Sequence, residues 1–203
     1  MFPCSTILAN SLPQIRSFFS VWALVVLALL YCSNLIAGSN VAEPDDYRMV
    51  DYRSPVPDTL QGATVVDVLE AKNLHENNDT IFIDVLPAQR KPEGLQETDI
   101  WLPKPHKNIP GSAWLPDVGF GAISDEMENY FKQNLERLIN KDKSKNILIY
   151  CRADCWMSWN AAKRTLDYGY TRVYWFPEGT DGWSEAGFNL EISKPIVGYD
   201  LNK

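Results

Sequence analysis

NILIYCRADCW, residues Asn146 to Trp156, decides how this chain is read. Its first half, Asn146 to Tyr150, is a continuous apolar run with the length and β-branched content of a strand covered on both faces. Downstream, Ala161, Ala162 and Leu166 predict a helix that Gly169 ends in the C′ position. A cysteine set between a buried strand and a helix lies at the carboxyl end of a sheet, where open α/β folds place their ligand sites. Cys151 holds that place. Backbone N–H groups of a short loop entering a helix can converge on an anion, and the helix N-terminus favours a thiolate. Arg152 adds to this effect and Asp154 opposes it. The expectation is an exposed Cys151 sulfur, ionised enough near neutral pH to act as a nucleophile.

Working outward, Thr80 to Val85 (TIFIDV) and Arg172 to Phe176 (RVYWF) repeat the buried-strand pattern. Met127, Tyr130, Phe131, Leu135, Leu138 and Ile139 fall at helical spacing and predict a helix over Asp125 to Ile139. Val65, Val68, Leu69 and Leu74 predict another, with Thr64 as its N-cap. Strands alternating with helices specify an α/β fold with a parallel sheet. Between them, residues 87 to 108 carry Pro87, Pro92, Pro103 and Pro105 and are expected to be a long connection without regular structure across most of its length. It ends at the Ile109-Pro110-Gly111 turn. Glu178 to Trp183 (EGTDGW) reads as a Gly-rich structural turn. Glu43 to Leu60 is polar, Pro-containing and aperiodic, so it reads as an extended arm whose Tyr47 and Tyr52 could dock on the domain.

The chain has 203 residues and a net charge of −7, which argues against a general nucleic-acid binder because no broad cationic surface is available to release phosphate counterions. Residues 1–37 hold one charged side chain, Arg16, and the apolar run Val21 to Tyr31 followed by small and polar residues. This is the pattern of an export signal, cut after Ala37 or Ser39, with an uncleaved membrane anchor over Phe18 to Ile36 as the alternative. Cleavage removes Arg16, Cys4 and Cys32, takes the charge to −8 and leaves Cys151 and Cys155 as the remaining cysteines. In an exported chain, two cysteines four apart are a local redox pair or two individually reactive thiols.

The ordered set IFIDV, IPGSAWLP, ILIYCR and AAKRTLDYGYTRVYWFPEGTDGW resembles a rhodanese-like domain over residues 63–193. The resemblance implies a three-layer α/β fold, a central, mostly parallel sheet flanked by helices. It places residues 38–62 as an arm or linker and 194–203 as a tail. In that family the cysteine after the strand, here Cys151, accepts a sulfane sulfur as a persulfide. The stretch CRADCWMSWNAAKR is similar to a narrower exported group named for its Cys and Cys-Trp motif and associated with alcohol catabolism dependent on pyrroloquinoline quinone (PQQ). That similarity implies a periplasmic protein serving a quinoprotein oxidation system, with a small sulfur or thiol substrate or a protein of that system as partner. No cofactor is implied for the chain itself, and membrane contact is implied only through an uncleaved N-terminal segment.

Aligning Ser158, Ala161 and Ala162 with the family gives an active loop of seven residues, Cys151 to Met157. Family loops typically have six residues and often close with an arginine, where this chain has Met157. The phosphatase branch of the fold also needs an arginine there to bind phosphate, so phosphatase activity is disfavoured and ordinary thiosulfate transfer is put in question. Cys151 and Cys155 are the candidate catalytic pair. Two thiols at this spacing can approach the Cα separation of a disulfide, so Cys155 could resolve a persulfide or sulfenic acid on Cys151. Arg152, Ala153, Asp154, Trp156 and Met157 are candidate anion or substrate contacts, Trp156 either shielding the pair or stacking on a planar ligand. The bland alternatives are an inert buried thiol at Cys151, a structural Cys155, packing tryptophans and a solvated Arg152. The rival function is a non-catalytic binding or accessory module. His75 and His106 show no spacing that defines a zinc site.

Overall fold

Alternate side chains of the central strand part to two faces, and the whole architecture follows from that division. The computed structural model describes residues 41–92, 94–96, 98 and 100–199. The expected signal segment and its cleavage sites therefore lie outside the described residues. In Asn146–Tyr150 (β5), Ile147 and Ile149 enter one apolar cluster, and Leu148 and Tyr150 enter another on the opposite face. Thr80–Asp84 (β2) divides likewise, with Ile83 on the first side and Phe82 on the second. This is the period of two that a strand buried on both faces requires.

Five strands form one sheet in the order β1-β6-β5-β2-β4, with Thr64–Val65 as β1, Ala113–Trp114 as β4 and Val173–Phe176 as β6. Every pairing in it is parallel. Helices Val68–Glu76 (α1) and Gly179–Glu185 (α4) supply Ala71 and Trp183 to the second cluster. On the other face, Asp125–Leu138 (α2) and Trp156–Asp167 (α3) contribute Phe131, Leu135, Trp159 and Ala161 to the first. The result is the α/β fold with a central parallel sheet between helical layers that the sequence predicts. His106–Asn108 (β3) pairs antiparallel with Glu191–Ser193 (β7) as a separate two-stranded sheet.

Three local expectations are corrected. Thr64 does not cap the first helix. It pairs with Tyr174 in edge strand β1, while Asp67 caps α1 by accepting from the Leu69 and Glu70 N–H groups and Glu70 reciprocates on the Asp67 N–H. That reciprocal capping box outcompetes a threonine whose β-branch suits a strand. Glu178 to Trp183 is not a turn but leads into α4. Burial of Trp183 and the bond from the Thr180 N–H to the Cys151 carbonyl (3.0 Å) outweigh the weak helix propensity of its glycines. Finally, Trp156 and Met157 form the first turn of α3 with Cys155 as N-cap, so the loop runs only from Cys151 to Cys155.

Arm and tail both pack on this frame. Leu60 is buried in the first cluster, with Tyr52 and Val56 against it. The Ile196 N–H donates to the Trp114 carbonyl (3.0 Å), and the Tyr199 hydroxyl donates to Asp117 (2.6 Å). At the Ile109-Pro110-Gly111 turn, the Ser112 N–H reaches the Ile109 carbonyl (3.1 Å) and Gly111 takes φ +76°. Proline then glycine at the two central positions is the chemistry of a type II turn.

Candidate functional site

Strand β5 delivers Cys151 to the carboxyl edge of the sheet, and the chain turns back through Ala153 and Asp154 to start α3. Asp154 takes φ +50°, a left-handed conformation that a short polar side chain tolerates. This reversal brings the two cysteines together as a disulfide, with an S–S distance of 2.10 Å and Cα atoms 6.5 Å apart. The separation lies inside the usual range for such a bridge, roughly 4.4–6.8 Å. The expected exposed, ionised Cys151 is thereby overturned. Its relative exposure is 0% and that of Cys155 is 2%, and both belong to the first apolar cluster. The physical reason is that the residue after a strand buried on both faces remains between helical layers, and the bridge removes the thiol.

The remaining loop residues are placed as follows. Arg152 is exposed and pairs with Asp181 of α4 at 3.4 Å. Ala153 offers its carbonyl to the Arg53 guanidinium (2.6 Å), and exposed Asp154 forms the tip. Trp156 is 2% exposed, its indole N–H shared between the Ser54 hydroxyl and the Pro55 carbonyl, each at 3.1 Å. Met157 is buried in the first cluster. Trp156 is therefore a packing and anchoring group, and no face of it is presented as a free ligand platform. The loop carries a small charge cluster of Arg152, Asp154, Asp181 and Arg53. Burial first, then the Arg152 charge, lowers the Arg53 pKa, while Asp181 and Asp154 raise it.

The arm is the element whose role sequence reasoning left least defined. Its Tyr52 carbonyl accepts from the Trp156 N–H (3.0 Å), one of the amides at the N-terminus of α3. The Tyr52 hydroxyl accepts from the Gly121 N–H (3.0 Å). Asn160 binds both backbone groups of Arg48, accepting from its N–H and donating to its carbonyl, each at 2.9 Å. The Tyr47 hydroxyl donates to Asp167. So the arm bonds to the cysteine loop on both sides of Cys155, and the amide that a bound anion would use at Trp156 is taken by Tyr52. The signal available in sequence was the presence of Tyr47 and Tyr52 in an otherwise polar segment.

Gly179 holds the loop's other wall. It takes φ +53°, and a Cβ there would lie 2.5 Å from the Cys151 carbonyl oxygen. Only glycine lets the start of α4 approach so closely.

Beside the loop, Asp84 ends β2 opposite Tyr150. It is fully buried, and its carboxylate meets His106 Nε2 at 2.6 Å and accepts from the Leu86 N–H at 2.8 Å. Burial raises the Asp84 pKa, and the bonds to His106 and Leu86 offset part of that. The His106 ring stacks on Trp114 with centroids 3.7 Å apart. Among the described residues no group of three or more His, Cys, Asp or Glu side chains is placed to hold a metal ion. A cavity of about 130 Å³ lies among Arg90, Ser124, Met127, Tyr130 and Tyr199, and none of its lining residues belongs to the cysteine loop.

The sequence profile of the rhodanese-like domain matches residues 67–186. No curated protein matches the chain. Among solved structures, a thiosulfate sulfurtransferase from Pseudomonas aeruginosa aligns at 18% identity and TM-score 0.44, over 66% of this chain and 21% of that one. The chain thus spans about a fifth of that protein's length. A polysulfide-sulfur transferase homodimer from Wolinella succinogenes aligns at 18% identity and TM-score 0.41, over 68% of this chain and 85% of that one. At such identities the likeness concerns the fold alone.

Proposed function

The chain belongs to the rhodanese-like domain family, and from that premise we propose that it is a periplasmic protein whose Cys151–Cys155 pair performs sulfur-transfer or thiol-disulfide chemistry in support of PQQ-dependent alcohol oxidation. The observation that carries the reading is the disulfide between the family's sulfur-accepting position and the N-cap of the following helix. A disulfide there makes the site a two-electron carrier. Reduction opens the pair, and a sulfane sulfur taken up by Cys151 is released as hydrosulfide when Cys155 closes the bridge again. The export pattern of residues 1–37 and the CRADCW motif support the compartment and the quinoprotein association.

Intact mass spectrometry of the chain from residue 40 onward tests the chemistry. After reduction and mild reoxidation the protein should lose two hydrogens, and Cys151→Ser or Cys155→Ser should abolish that loss. Persistence of the bridge-sized loss in either variant would refute the pair. Sequencing the N-terminus of the native protein tests export, with a start near residue 38 or 40 expected. Growth of a deletion strain on an alcohol oxidised by a quinoprotein tests the physiological role, and unimpaired growth would overturn it.

One feature favours a second reading, an accessory module that binds a partner without turnover: both sulfurs are buried and the arm is bonded across their loop. In that case the bridge resists reduction in the folded protein and opens only on denaturation.

A further inference from the structure

Resting on the dithiol reading, we infer that the arm is a redox-coupled strap. Its section from Met49 to Asp58 seats more firmly on the bridged loop than on the dithiol, so reduction lifts it off Trp156 and uncovers the site. The arm runs back along α3 and is anchored at both sides of this section. On one side the Tyr47 hydroxyl donates to Asp167 at the end of the helix, and Asn160 holds both backbone groups of Arg48. On the other, the Trp159 indole N–H donates to the Thr59 carbonyl (3.2 Å) and Leu60 is buried in the first cluster. These anchors touch no residue of the cysteine loop.

Between the anchors, Met49, Val50, Asp51, Arg53, Pro55 and Asp58 are exposed. Tyr52 and Val56 pack at the margin of the first cluster, and Pro57 is buried. A segment with so little burial belongs to the low-stability end of a fold, where a few polar bonds decide whether it is seated. Here those bonds converge on the two sides of Cys155. The Arg53 guanidinium donates to the Ala153 carbonyl (2.6 Å), two positions before it. Trp156, one position after it, donates its backbone N–H to the Tyr52 carbonyl (3.0 Å) and its indole N–H to Ser54 and Pro55.

The bridge fixes the shape that these bonds need. It closes a ring in which the chain reverses with Asp154 at φ +50°, a conformation that a residue other than glycine seldom keeps unless its surroundings fix it. Reduction breaks the Sγ–Sγ bond. Two electrons and two protons from a dithiol reductant make two thiols, and the reductant closes to its own disulfide. The ends of the opened ring keep their places, because the Thr180 N–H holds the Cys151 carbonyl (3.0 Å) and the Ser158 hydroxyl holds the Cys155 carbonyl (3.1 Å). Neither bond reaches the tip, which ring closure holds in the shape that presents the Ala153 carbonyl to Arg53. The tip relaxes, the Arg53 bond is lost, and the strap is released between its anchors. Such a linkage is reciprocal, so whatever weakens the strap favours the dithiol by the same factor.

The experiment digests the oxidised and the dithiothreitol-reduced protein with subtilisin, a protease without disulfides, and maps cuts within residues 49–56 by mass spectrometry. Expected is a rate about fivefold higher in the reduced protein, the factor that one lost hydrogen bond corresponds to. A double variant, Cys151→Ala with Cys155→Ala, should be cut as fast as the reduced parent without any reductant. Arg53→Ala should shrink the difference between the two redox states. In a glutathione redox buffer it should also raise the ratio of dithiol to disulfide by about the same fivefold. Equal cutting of the oxidised and reduced parent overturns the strap and leaves the dithiol reading standing, and so does a redox ratio that Arg53→Ala leaves unchanged. If dithiothreitol cannot open the bridge in the folded protein, the dithiol reading fails. The double variant then decides the strap by itself, faster cutting upholding the linkage and unchanged cutting overturning it.

Discussion

Two neighbouring strands, β5 and β2, end at the same edge of the sheet, and each end solves the problem of a buried polar terminus differently. At the end of β5, Cys151 is closed by a covalent bond to a residue four positions on, and its surroundings are apolar. At the end of β2, Asp84 keeps an ionisable carboxyl at 0% exposure and depends on His106, across a 22-residue separation, to make that tolerable. The first end is local and redox-sensitive. The second is long-range and proton-sensitive, and the two can be separated by measurements that perturb one alone.

The largest effect is expected from His106→Ala, which leaves the Asp84 carboxylate buried without its partner. Removing one member of a buried pair costs about 3–5 kcal/mol, readable as a fall in denaturant midpoint at neutral pH. The sign of the pH dependence follows from Asp84. Its folded-state pKa is raised by burial, so the stability it contributes is fully present below the unfolded carboxylate value and is lost as pH rises through the folded one. His106 lowers that folded pKa, so its loss moves Asp84 further up and steepens the decline. The gap between variant and parent should therefore close in acid, and a gap that stays constant with pH would show that His106 acts only through its stacking on Trp114.

Next in size is Gly179→Ala, which tests the β5 end through its backbone. A Cβ 2.5 Å from the Cys151 carbonyl oxygen, on a residue at φ +53°, cannot be absorbed by side-chain motion. Strain and overpacking together should cost about 2–3 kcal/mol, and the variant should form the 151–155 bridge more slowly on reoxidation. Unchanged reoxidation with lowered stability would place the role of Gly179 in packing alone. Reduction of the bridge in the parent protein comes third. So short a closed loop restrains little of the unfolded chain, and a loss of about 2 kcal/mol is expected, insensitive to His106. If His106→Ala and reduction proved strongly non-additive, the two strand ends would be coupled.

What was legible in the sequence follows the same contrast. NILIYCRADCW could be read because everything it specifies lies within one strand, one reversal and one helix start, and a residue's period and neighbours decide its place there. TIFIDV, Asp125 to Ile139 and RVYWF were readable for that reason too. Asp84–His106 was not, because its partners are separated by the Pro-rich connection, whose path no local pattern encodes. The exposure expected of Cys151 fails on similar grounds. Burial at a strand end depends on what packs around it, and the apolar cluster that takes in Cys151 draws on residues as distant in sequence as Leu60 and Leu115. Helix α4 was missed because its formation rests on Trp183 finding a core rather than on propensity.

The smallest expected effect concerns the arm, and it decides whether the β5 end is open or shut. Trp156→Phe keeps a buried aromatic ring, a smaller one, but deletes the indole N–H that binds Ser54 and Pro55. A neutral hydrogen bond of this kind contributes about 1 kcal/mol, too little to unfold a domain that retains the Asn160, Tyr47 and Tyr52 contacts. Its consequence should be local. Proteolysis within residues 53–56 should quicken, and a bulky thiol such as glutathione should reduce the bridge several times faster than in the parent. Sulfide, the smaller reagent, should gain less from the same change than glutathione does. Equal acceleration of both reagents would mean that the arm shields the bridge from every nucleophile alike. Acceleration of neither would mean that access to the buried sulfurs runs past Arg152 and Asp154 at the loop tip, on the side that the arm does not cover.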